Sequence, residues 1–96
     1  MRYKCRPGIV CVNICGENML VPTRAASETV PNVMRLSLIK AALWEEIEKG
    51  RDGTVVVKFF KALTRKPEGE LQERVDKALE EMYEKGYLIL ADEAVS

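Results

Sequence analysis

Ninety-six residues suit one folded domain, and a chain of that size hides only about two-thirds of its unfolded surface, so its core is modest. Lysine plus arginine (15) balances aspartate plus glutamate (15), a formal net charge of +0 without the basic surplus of a phosphate-binding protein. Nucleic acid is therefore disfavoured as a partner.

No apolar run approaches the roughly 18 residues of a membrane span, so no membrane partner is expected. Residues 1–7 lead into a strand-like stretch without the apolar core of a cleavable signal, and the expected location is the cytoplasm. Three cysteines, Cys5, Cys11 and Cys15, form no closed disulfide set and match neither a zinc knuckle nor a CxxC redox pair. Free thiols are the plain reading. A metal or redox role for Cys11 and Cys15, placed on one face of a strand, is a remote second. The chain has no histidine, which removes the commonest metal ligand and the commonest general base together.

In chain order, Ile9–Ile14 is rich in β-branched residues, with Val10, Val12 and Ile14 on one face and Ile9, Cys11 and Asn13 on the other. A turn at Gly16-Glu17-Asn18 should return the chain through Met19-Leu20-Val21 as a hairpin, stopped by Pro22. Residues 23–32 read as a loop, and Val33-Met34-Arg35-Leu36 as a short third strand. Ser37 is a suitable cap for a first helix whose Leu38, Ile39, Ala42, Leu43 and Ile47 face a core, with Trp44 in or beside it and Gly50 closing it. Thr54 can cap a second helix. Its Val55-Val56-Val57 run favours strand, but Phe59, Phe60 and Leu63 complete a helical period, so a helix burying Val55, Val56, Phe59, Phe60 and Leu63 is expected.

The last and longest helix is the best signalled. Leu71, Val75, Ala78, Leu79 and Met82 recur at steps of three and four, and Gly86 supplies the stop before the apolar tail Tyr87-Leu88-Ile89-Leu90. Glu70/Arg74, Glu73/Lys77 and Glu81/Lys85 are acid-first pairs four apart. The expected fold is α+β and winged-helix-like: a three-stranded antiparallel sheet followed by three helices, βββααα, in a single domain over residues 1–96.

Little in this inventory resembles a catalytic apparatus. The six glycines lie singly at turns and helix ends, not in a phosphate loop. Glu80, Glu81 and Glu84 sit on the polar side of an amphipathic helix, where a solvated face is expected in preference to an acid/base cluster. No enzyme and no cofactor are expected.

A winged-helix DNA-binding regulator is the alternative, with its third helix in the major groove. Between Glu68 and Lys85, however, seven acids face three bases, which is adverse against a polyanion. A peptide partner fits better. If residues 33–36 form an edge strand beside the last helix, the two frame a groove with backbone amides on one wall and side chains on the other. The plain alternative is that Val33, Leu36, Val75 and Leu79 pack together as core.

The segments RPGIV, MLVPT, RLSLIKAALWEEIEKG and EKGYL, in that order, resemble the PqqD-like family, small proteins also called RiPP recognition elements. The resemblance runs from about Arg6 to Leu90 and rests on pattern and order more than on any single motif. It implies a holder for the leader segment of a ribosomally made precursor peptide. The leader adds as a strand to the third strand, and the holder delivers the precursor to a modifying enzyme, frequently a radical S-adenosylmethionine protein. Carried onto this chain, the strand contacts are Asn32, Val33, Met34, Arg35 and Leu36. The helix contacts are Arg74, Val75, Lys77, Ala78, Glu81 and Met82. Arg74 and Lys77 would meet acidic leader residues, and Val75, Ala78 and Met82 would line an apolar cleft. Ala78 departs from the bulky aromatic of many relatives. An unsatisfied strand edge could also be met by a second copy of the chain, including as a swapped dimer.

Overall fold

Short β-branched segments come first and amphipathic helices follow, and the computed structural model keeps that division. It describes residues 2–24, 26–51 and 53–91. The strands are β1 (Tyr3–Cys5), β2 (Ile9–Ile14), β3 (Glu17–Pro22), β4 (Met34–Arg35) and β5 (Leu88–Leu90). The helices are α1 (Leu38–Glu48), α2 (Thr54–Thr64) and α3 (Glu68–Glu84). The α+β class holds, with β2, β3 and β4 forming a three-stranded antiparallel sheet and three helices following it.

The hairpin turn differs from expectation. Ile14 pairs directly with Glu17, so the loop is Cys15-Gly16 alone, and Glu17 and Asn18 belong to β3. Both loop residues have positive φ (52° and 83°), the conformation whose twist matches that of the flanking strands. Cys15 thus lies in the turn and does not share a strand face with Cys11. The Asn13 side chain accepts from the Gly16 amide (3.2 Å) and donates to the Asn18 side chain (3.2 Å), fixing the register.

The second sheet, β1 with β5, is not foreshadowed by the sequence pattern, which shows only an apolar tail after Gly86. Tyr3 pairs with Leu90 and Cys5 with Leu88, and the ribbon is extended by bonds from Arg6 N–H to the Tyr87 carbonyl and from Ala91 N–H to the Arg2 carbonyl, both 3.0 Å. Neither strand exceeds three residues, so neither carries a readable alternation, and the two lie at opposite ends of the chain. The ribbon rests on α3 through the tilted Tyr3 and Tyr83 rings, 5.6 Å apart.

Two clusters make up the core. One lies between the main sheet and α1 and α3, built on Leu20, Met34, Leu36, Trp44, Met82 and Tyr87. The other joins the helices through Leu43, Val56, Val57, Leu71, Val75 and Ala78. Ser37 caps α1 as expected, its hydroxyl accepting from the Lys40 amide at 3.3 Å. Leu38, expected to face the core, is 77% exposed.

The second helix forms in spite of its valine run, but it is rotated from the expected setting. Val56 and Val57 are buried, whereas Val55, Phe59 and Leu63 are exposed. Two overlapping apolar stripes compete on this helix, and the one that includes Val57 fits against Leu71 and Val75 of α3. Gly53, not Thr54, occupies the cap position. Its φ of −79° is open to any residue, so the requirement is space. A methyl there would lie 3.0 Å from Val75 Cγ1 and 3.1 Å from Leu43 Cδ2, both fully buried neighbours.

Gly53→Ala should therefore destabilise the fold by about 1–2 kcal/mol, crowding outweighing the gain from a stiffer unfolded chain. Denaturant unfolding measures it, and a stabilised variant would show that α2 can move away from α3.

Candidate functional site

The strand order β2-β3-β4 leaves β4 at the edge of its sheet. Met34 pairs with Leu20 and Arg35 with Met19, and the Leu36 amide donates to the Asn18 carbonyl at 2.8 Å. In an antiparallel ladder the backbone groups of alternate residues point the same way. Leu36 and Met34 therefore address β3, while Arg35, and Val33 where the extended chain enters the strand, turn theirs outward. Side chains follow a matching division: Met34 and Leu36 are buried, Val33 and Arg35 exposed. Among the described residues nothing pairs with that outer edge, because the C-terminal strand is taken by β1.

Beside the edge runs a cleft lined by Val30, Pro31, Asn32, Val33, Met34, Arg35, Lys40, Glu81, Lys85 and Tyr87. Glu81 of α3 is part of this lining and meets two lysines there. Its Oε2 accepts from Lys40 Nζ at 2.7 Å and its Oε1 from Lys85 Nζ at 3.1 Å. Those hydrogen bonds, that from Lys40 above all, hold the Glu81 carboxyl below the usual carboxylate range. Lys40, the least exposed member, links α1 to α3 across the cleft. Arg35 reaches back along the sheet to Glu17 at 3.4 Å. Three cations against one carboxylate line the cleft, although α3 as a whole is acidic.

The geometry of this cleft is fixed from below. Gly86, at φ +90°, ends α3, and the Tyr87 amide donates to the Met82 carbonyl at 2.9 Å. The Tyr87 hydroxyl donates to the Asn32 carbonyl, pinning the approach to β4. Burial pushes the Tyr87 phenol up, so it keeps its proton. Arg6 Nε donates to the Gly86 carbonyl at 2.5 Å and tethers the same corner to the first strand.

Of the residues marked from sequence, Asn32, Val33, Met34, Arg35 and Glu81 line the cleft together. Asn32 does so with its carbonyl already engaged by Tyr87. Leu36 is buried in the core. Val75, Ala78 and Met82, expected as the apolar lining, are core residues instead. The same spacing that aligns them forms the stripe that α3 needs for packing. Arg74 and Lys77 pair with Glu70 (3.5 Å) and Glu73 (3.4 Å) on the exposed face of α3, outside the cleft lining. Lys40, Lys85 and Tyr87 were missed as site residues. Lys85 was visible as the partner of Glu81, but Lys40 enters only through the packing of α1 on α3.

The cysteines give no second site. Burial, with Glu48 nearby, pushes the Cys5 thiol up to about 12, and burial raises Cys11 as well. Among the described residues no cluster of His, Cys, Asp or Glu could hold a metal ion, and no helix is long and apolar enough to cross a membrane. No family model matches the chain, and neither a curated protein nor a solved structure does.

Two outcomes are expected. Tyr87→Phe should lower stability by about 1 kcal/mol in denaturant unfolding through loss of the bond to Asn32. Because the Glu81 pKa is depressed by folding, its contribution is present above the ordinary glutamate range and is lost as pH falls through the lowered value. Glu81→Gln should thus melt below the parent protein at neutral pH, and the two melting temperatures should converge in acid.

Proposed function

We propose that this protein is a non-catalytic peptide holder. It binds the leader segment of a ribosomally synthesised precursor as a further strand on β4 and presents it to a modifying enzyme, a radical S-adenosylmethionine protein. The observation that carries the reading is the open outer edge of β4, facing the cleft of Lys40, Glu81 and Lys85. An extended chain laid there would exchange backbone bonds with Val33 and Arg35 and place alternate side chains into the cleft. The cleft's basic excess favours an acidic segment. The PqqD-like pattern in the sequence supports the same assignment, as does the lack of histidine for activating a nucleophile. A cytoplasmic location belongs to this reading, since ribosomal precursors are modified where they are made.

A winged-helix regulator finds less support, because the exposed face of α3 is dominated by carboxylates. DNA binding with a steep salt dependence would replace the present reading.

The test is titration of this protein with a synthetic leader, taken from a short reading frame adjacent to its gene, followed by calorimetry. Val33→Pro removes one outward amide and should weaken binding about tenfold or more, while Val33→Ala keeps the amide and should stay within a few-fold. Equal affinity for a folded Val33→Pro variant would remove strand addition as the binding mode.

A further inference from the structure

A second surface lies elsewhere on the molecule and shares no lining residue with the β4 cleft. Leu38 of α1 and Phe59 and Leu63 of α2 are 77%, 56% and 64% exposed, and all three line one groove between these helices. Single exposed apolar residues are ordinary on a protein surface, but a contiguous set along one groove marks a contact. Val55 continues the stripe at 47% exposed, giving Val55, Phe59 and Leu63 at successive steps of four along the helix.

The charges around this groove say what would cover it. Its lining includes Glu45 and Glu48 and no base. Helix α2 and the connector after it have the opposite character: residues 54–67 contain Lys58, Lys61, Arg65 and Lys66 and no acid. The groove therefore fits an apolar helix with basic flanks, and α2 of another copy is such a helix. Within one chain, Lys61 is engaged by Glu68 and Glu45 by Lys49. Lys58 and Glu48 have no ion-pair partner among the described residues.

We propose that two copies of this chain associate about a two-fold axis through α2. The Val55–Phe59–Leu63 stripe of each copy seats in the α1/α2 groove of the other, and Lys58 of each approaches Glu48 of its mate. The arrangement is self-complementary, since each chain supplies both the acidic groove and the basic helix, as a closed dimer requires. Stripes at steps of four pack into one another at a steep crossing, so short helices can meet around Phe59 without their ends colliding. The association rests on a small apolar area and on exposed charges, so it is reversible and weakens with salt. It does not depend on the peptide-binding reading.

Sedimentation velocity over micromolar to sub-millimolar protein tests the proposal. The expected result is a concentration-dependent rise from monomer to dimer, with Leu63→Glu weakening association about tenfold or more at unchanged circular dichroism. Lys58→Glu should also weaken it, and adding Glu48→Lys to that variant should restore it. Val33→Pro should leave it unaltered, which separates this surface from the β4 edge. A chain that stays monomeric throughout overturns the proposal. So does a dimer that withstands both Leu63→Glu and Lys58→Glu.

Discussion

The Tyr87 hydroxyl, donating to the carbonyl of Asn32, holds the geometry of the β4 cleft together. It connects the residue just past α3 to the residue that leads into β4, across 55 positions of sequence. Gly86 makes the connection possible, because its left-handed conformation turns the chain back under the helix. A Cβ there would also lie 3.0 Å from Val30, which packs into the same corner. The width of the cleft follows from this anchor. With β4 and the end of α3 pinned below, the Lys40–Glu81 pair ties α1 to α3 beside it, and Lys85 braces Glu81 from just past the end of α3.

Leaving a strand edge unpaired is hazardous, since any extended chain can add to it. This edge is managed by being short and charged. The strand has two residues, Arg35 stands on its outward side, and three cations line the adjoining cleft. An indiscriminate apolar strand would meet charge beside the apolar side chains there, because Lys40, Glu81 and Lys85 share the cleft lining with Val30, Val33 and Met34. A peptide that supplies carboxylates would gain both backbone bonds and charge contacts. The pairing of β5 with β1 matters as much: it ties down the C-terminal strand at a distance from β4 instead of letting it complete the sheet.

Much of this could be read in the sequence, and the failures share a cause. The stripe of α3, its three acid-first ion pairs, the Ser37 cap and the span of β2 are local features, and each formed where the spacing placed it. What was missed depends on contacts between distant segments. The β1–β5 ribbon joins residues near the two ends of the chain. The rotation of α2 is decided by the shape of α3, since either of two apolar stripes satisfies helical periodicity. Val75, Ala78 and Met82 illustrate the limit best. Their spacing identifies one face of the helix correctly, but the face that packs the core cannot also line an open cleft.

The electrostatic sign of the site is the subtler consequence. Seven acids and three bases along residues 68–85 describe an anionic rod, and that total argued against a polyanion partner. Total charge, however, is averaged over a helix whose faces look in different directions. Glu70 and Glu73 are engaged with Arg74 and Lys77 on the exposed face, while the end bordering β4 shows Glu81 held between two lysines. At distances of one or two turns the near charges dominate, since those farther away are screened within about 8–10 Å. A docked segment would therefore meet a locally cationic cleft on an otherwise acidic helix. The two facts are compatible, and under the proposed reading they favour a short acidic peptide over a long polyanion: a peptide would stay within the cationic patch, whereas a duplex would also extend across the carboxylates.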